Sequence, residues 1–141
     1  NTNNLTTLHN EISNSGVKYC YISFDEAAIN WMCTPNDNGG LGVSKDNVQM
    51  LYNPLTSLFE IEWFADNGYS IDVGDAESPT TAYIAGVVVT KELVDMFHAK
   101  NLKFNVWTID SAPRVKALAD KGVDFITSDF ARSTLPNDFL E

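Results

Sequence analysis

Four predicted helices in this chain stop at the same kind of signal, and that repetition limits the possible folds more than any single motif does. Asn14-Ser15-Gly16, Asn67-Gly68, Lys100-Asn101 and Lys121-Gly122 each close a helical pattern, and an apolar strand follows each within a few residues. Gly and Asn tolerate the left-handed conformation that a helix C′ position takes. The strand centres fall near residues 20, 50, 72, 106 and 126, which leaves room for a helix between neighbours. Such spacing is that of successive βα units. It implies an α/β fold with parallel strands and right-handed crossovers.

The unit written most plainly runs from Lys103 to Thr127. From Lys103 to Asp110 the residues are β-branched or aromatic at nearly every second position, which predicts a buried strand. Asp110 or Ser111 is placed to cap a helix with Pro113 in its first turn. That helix carries Val115, Leu118 and Ala119 on one face and ends at Gly122, before the strand Phe125-Ile126-Thr127.

Upstream, Leu5, Leu8 and Ile12 predict an amphipathic helix over 4–14. The strand Val17–Ser23 follows, and Asp25 caps a helix bearing Ala28, Ile29, Met32 and Cys33. The segment 34–47 holds Pro35 and three glycines and reads as an exposed, mobile loop. A strand at 48–51 leads to a helix opened by Pro54, predicted over 55–67 with Leu58, Ile61 and Ala65 on one face. After the third strand, 69–73, comes an excursion over 74–89, polar around Pro79 and apolar from Tyr83 to Val89. Thr90 then caps a helix bearing Leu93, Val94 and Phe97.

Two architectures suit this pattern. A doubly wound five-stranded sheet is complete in ~140 residues, whereas a (βα)₈ barrel needs ~250, so the chain would be part of one. The chain has 141 residues and starts at Asn1, with no Met, inside a predicted helix; it reads as a piece of a longer protein. A net charge of −10 argues against nucleic acid or an anionic membrane surface as the main partner. No run approaches the ~20 apolar residues of a membrane span, and no stretch reads as a signal peptide. Cys20 and Cys33 read as two buried free thiols, which leaves the compartment open.

Several segments together resemble the glycerophosphodiester phosphodiesterase family. Asn105-Val106-Trp107-Thr108-Ile109-Asp110 and Gly122-Val123-Asp124-Phe125-Ile126-Thr127-Ser128-Asp129 are similar to the family's V-N-V-W-T-V-N and G-V-D-G-I-I-T-D segments. Thr90–Val94 and His98–Leu102 resemble its T-P-E-L-V and H-A-x-G-L, and Tyr21–Asp25 its I-S-S-F-D strand end. The order and spacing agree over most of the chain. Asp110 stands where the family usually has Asn, Phe130 and Ala131 stand where it has Arg-Pro, and the 34–47 loop is longer.

The resemblance implies that residues 1–141 form the last five βα units of a TIM barrel. It implies a glycerophosphodiester as small-molecule substrate and magnesium or calcium as cofactor. No stretch matches the family's H-R-G or E-x-D motifs, its second catalytic His, or its further acidic ligand with a nearby Lys. The chain alone is therefore expected to lack catalytic groups and metal ligands, and to need its missing N-terminal half, or to self-associate. Trp107, Phe24, Ser23 and Asp110 are the substrate-binding candidates. Trp107 would wall the pocket, Phe24 and Ser23 would form its apolar lip, and Asp110 would be a polar pocket group.

Each has a structural alternative: a core Trp, a strand end, and a helix cap for Asp110. Asp72 and Asp75 are carboxylates of a type that suits hard cations, although the family does not use that strand for its metal. His9 and His98 fall within predicted helices and read as helix-surface residues. Arg114 and Arg132 read as surface arginines, with Arg132 near the place where barrels often hold phosphate.

Overall fold

The computed structural model describes residues 2–79, 81 and 86–129. The strands are β1 (Tyr21–Ser23), β2 (Val48–Tyr52), β3 (Ser70–Gly74), β4 (Phe104–Trp107) and β5 (Phe125–Ile126). Interleaved with them are helices α1 (Thr2–Ser15), α2 (Glu26–Cys33), α3 (Ile61–Asp66), α4 (Lys91–His98) and α5 (Ala112–Asp120). All pairings are parallel, and the strand order is β1-β2-β3-β4-β5. A doubly wound sheet reverses its order at a switch point. This sheet does not.

Period-two alternation sorts the strands into two faces. Val48, Met50, Tyr52, Ile71, Val73, Phe104 and Val106 join one core with Ile29, Met32, Phe64, Val94, Phe97, Val115 and Leu118 from the helices. Phe97 meets Phe104 edge-to-face at 5.3 Å, and Tyr52 meets Phe64 at 5.7 Å. Of the other strand residues, Ile22, Gln49, Asp72, Asn105 and Phe125 line an open groove on the opposite face, and none of the α-helices contributes to it.

The helix boundaries follow the residues that punctuate them. Asp25 accepts from the Ala28 N–H, and Thr90 from the Leu93 N–H, so both caps form as expected. Gly16, Gly68, Asn101 and Gly122 all take positive φ, with Asn101 at 58°. Ser111 occupies the N-cap of α5 without a side-chain bond, and Asp110 is engaged elsewhere.

Three expectations need correction. The helix predicted over 55–67 shortens to α3, and Leu58 is 86% exposed. Asn53 and Ser57 are the cause. Asn53 accepts from the Leu55 N–H, and Ser57 takes the Phe59 N–H, so side chains claim the first-turn donors. The 34–47 segment is not simply exposed: Leu41 and Val43 are buried, and their N–H groups bond to Trp31 and Met32 carbonyls. The first strand is shorter than 17–23, so Cys20 lies just outside it; both thiols are free, but Cys20 is exposed and Cys33 partly so. Part of the Tyr83–Val89 run, together with Phe130, Ala131 and Arg132, lies outside the described residues.

Asn101 offers a direct check. An L-residue in the left-handed region costs ~1–2 kcal/mol, least for Asn. Asn101→Gly should be neutral or stabilising, and Asn101→Val should destabilise by ~1–2 kcal/mol in urea unfolding. Equal stability of the two variants would show that this turn is not the one described.

Candidate functional site

The C-terminal ends of the strands carry the residues singled out in the sequence, and the structure divides them. Phe24 follows β1, and Trp107 ends β4. Their rings meet edge-to-face at 6.2 Å. Flat strands three places apart would stand ~14 Å from each other, so both rings lean inward over the middle of the sheet. Gly74, paired in register with Trp107, leaves that space free of a side chain. The indole Nε1–H is buried and has no hydrogen-bond partner among the described residues. A desolvated, unmade hydrogen bond costs ~1–3 kcal/mol.

Ser23 does not join them. It pairs with Met50 in register, on the helix side of the sheet, and its hydroxyl accepts from the Asp25 N–H at 3.0 Å. Asp110 is also separate. It accepts from the Ser128 hydroxyl and the Asp129 N–H, both at 2.9 Å, and so ties the loop after β4 to the loop after β5. The cap alternative for Asp110 is thereby overturned, because the carboxylate is drawn to β5 instead of to α5.

Asp110 borders a second groove, of about 340 Å³, shared with Glu77, Ser78, Ile109 and Arg114. Arg114 is not a surface arginine. Its Nε and Nη2 donate to the two carboxylate oxygens of Asp75 at 2.6 and 2.7 Å, and Nη1 donates to Glu77. Asp75 is fully buried. The Ser78 hydroxyl donates to the Thr108 carbonyl at 2.9 Å, and the Thr81 hydroxyl to the Asp75 carbonyl. Together these bonds lash the excursion after β3 onto β4 and α5. Nothing in the local sequence pattern marks the Asp75–Arg114 pair, whose partners lie 39 residues apart.

The two histidines have structural partners. His9 Nδ1 lies 3.2 Å from the Tyr21 hydroxyl, against the rings of Tyr19 and Tyr21. His98 Nε2 lies 2.8 Å from Asp124, at the N-terminal end of the sheet. Burial pushes the Asp124 carboxyl up, but the Phe104 N–H, His98 and Lys103 more than offset this and hold it below the usual range.

Asp72 and Asp75 do not come together with other described carboxylates as a metal site. Both oxygens of Asp75 are taken by Arg114. Among the described residues, no three His, Cys, Asp or Glu side chains converge to hold an ion. Asp72 stands apart on the open face, beside Asn105 in the neighbouring strand. Asn105 has a counterpart signal in sequence, since both it and Asp72 are polar residues between two apolar ones. Burial pushes the Asp72 carboxyl up to about 6.

No family model matches this chain, and no curated protein or solved structure matches it.

Two substitutions test this geometry. Arg114→Met strands a buried carboxylate and should cost ~3–5 kcal/mol in chemical denaturation; a loss below ~1 kcal/mol would mean the pair is solvated. Asp72 has a folded-state pKa above its unfolded value, so its contribution is fully present below pH ~4 and is lost as pH rises through about 6. Asp72→Asn should therefore gain stability over the parent across that window, reaching ~2–3 kcal/mol at pH 7.5 at ~1.4 kcal/mol per pKa unit. A difference that does not change with pH would contradict a desolvated carboxyl.

Proposed function

We propose that this chain forms the last five βα units of a (βα)₈ barrel of the glycerophosphodiester phosphodiesterase type, and supplies one wall of its substrate pocket. One observation carries the proposal: the Phe24–Trp107 contact at the C-terminal rim of a sequentially ordered parallel sheet. Barrel enzymes place their chemistry at that rim. The unspent Trp107 N–H is a donor suited to a glycerol or phosphate oxygen, and the half-exposed Phe24 ring is a lip beside the glycerol carbons.

In such a site, the ester would be split into an alcohol and glycerol phosphate by general acid–base transfer and a divalent cation. The residues described do not fit that cation, so the part of this chain is binding and orientation. Trp107 and Phe24 hold the glycerol end, while the Asp75–Arg114 pair and Asp110 fix the loops around it. Ser23 would act only by shaping the turn that presents Phe24.

A second proposal has specific support. Ile22, Phe24 and Phe125 are 48%, 52% and 60% exposed on the uncovered face. Exposed apolar area of this kind marks an interaction surface. On this alternative the chain is a non-catalytic module that pairs with a missing half or with itself.

Glycerophosphocholine with magnesium or calcium is the test substrate. The chain alone should bind it without turnover, and Trp107→Phe should weaken binding ~10-fold through loss of one donor to a charged oxygen. Full hydrolysis by this chain would overturn the division of labour. Absence of binding, with light scattering showing a self-associated species, would favour the assembly module.

A further inference from the structure

The tripeptide Asp-Asn-Gly occurs twice, as Asp37-Asn38-Gly39 and as Asp66-Asn67-Gly68. Both glycines sit in the left-handed region, at φ 82° and 79°, and both asparagines are exposed. An asparagine before glycine is open to attack by the next backbone nitrogen, because glycine has no side chain to block the approach. Immediate neighbours are the same in the two copies, so only their surroundings can separate them.

Those surroundings differ. Asn67 closes α3 and is held at three points. Its N–H and its side-chain amide both donate to the Trp63 carbonyl at 2.9 Å, and its own carbonyl accepts from Lys45 Nζ at 2.6 Å. The Gly68 and Tyr69 N–H groups bond back to Ala65 and Phe64, which places the attacking nitrogen inside a helix end. Asn38 instead ends a short 3₁₀ turn, Asn36–Asn38. Its side chain makes no hydrogen bond among the described residues. The Gly39 nitrogen is held by one bond, to the Asn36 carbonyl at 3.0 Å.

We propose that Asn38 is a spontaneous deamidation site, and that its isoaspartyl product unlocks the 34–47 segment from α2. The Gly39 nitrogen gives up its proton and bonds to Asn38 Cγ. The Cγ–Nδ2 bond breaks, ammonia leaves, and a succinimide remains. Water then opens the ring at either carbonyl, giving aspartate or a β-linked isoaspartate that adds one carbon to the main chain. The turn has no slack for that carbon. A Cβ on Gly40 would collide with the Thr34 carbonyl oxygen. The Gly39 carbonyl accepts from Trp31 Nε1 at 2.9 Å, and the Gly40 N–H donates to Pro35 at 3.2 Å. Moving these groups also pulls the Leu41, Gly42 and Val43 N–H groups from Trp31, Thr34 and Met32, their acceptors at the end of α2. This inference does not rest on the phosphodiesterase reading, which concerns the rim.

The test is to age the full chain in mildly alkaline buffer, folded and in urea. Peptide mass spectrometry follows both asparagines, with isoaspartate scored by electron-transfer fragmentation. In urea the two should convert at similar rates. In the folded chain Asn38 should convert at least ~10-fold faster than Asn67, which must wait for the end of α3 to open. The rate should climb with pH, because the attacking nitrogen must lose its proton. Amide exchange on the aged chain should show Leu41, Gly42 and Val43 losing at least ~10-fold in protection while β3 and β4 keep theirs. Asn38→Gln should block the change. Asn38→Asp adds the charge without the extra carbon and should leave those amides protected. An inert Asn38, equal or faster conversion of Asn67 in the folded chain, the same preference in urea, or an isoaspartyl chain with its loop amides still protected would each overturn the proposal.

Discussion

A parallel sheet needs both faces covered, because its crossovers put helices against it and its strands are apolar. Here the helices meet only one face. That single constraint accounts for most of what is unusual in the molecule. Val48, Met50, Ile71, Val73, Phe104 and Val106 meet the helices and are buried. Across the same strands stand Asp72 and Asn105 with unpartnered oxygens, and Trp107 with an unpartnered N–H. Each is a polar atom out of contact with water and without a hydrogen-bond partner among the described residues. Buried polar atoms are normally hydrogen-bonded, so these three stand out from the rest of the sheet.

The rim above that face is held from the side. Asp75 ends the β3 region and receives both prongs of Arg114 from the first turns of α5. Ser78 and Thr81 fasten the following residues to Thr108 and Asp75, and Asp110 reaches β5 through Ser128 and Asp129. Removing one buried partner of such a pair exposes the full desolvation cost of the other. The loops around Trp107 therefore owe their shape to these polar and charged contacts together with the burial of Ile109 and Val89 in the core.

Much of the fold was legible in the sequence because its signals are local. The C′ residues Gly16, Gly68, Asn101 and Gly122, the caps Asp25 and Thr90, and the alternation through Phe104 and Val106 each act within a few residues. The helix predicted over 55–67 forms only from Ile61, because Asn53 and Ser57 compete for the donors a longer helix would use. The site was only partly legible. Phe24 and Trp107 come together as strand-end residues should, whereas Ser23 falls on the other face by one step of alternation. The Asp75–Arg114 pair joins distant segments, and no spacing rule predicts it. Asn105 was visible as a polar residue amid apolar neighbours, but its place beside Asp72 appears only in the register of the strands.

The central claim is that one face of the sheet is packed and the other is open. Thiol labelling in a background of Cys20→Ser and Cys33→Ser tests it most directly. Phe125→Cys and Val106→Cys place single thiols on opposite faces of adjacent strands, on residues 60% and 0% exposed in the parent. At low protein concentration the thiol at 125 should react at nearly the unfolded rate, and the one at 106 more than ~100-fold slower, since it must wait for the structure to open. Equal protection of both would mean that the second face is covered, and the account of an open sheet would be wrong.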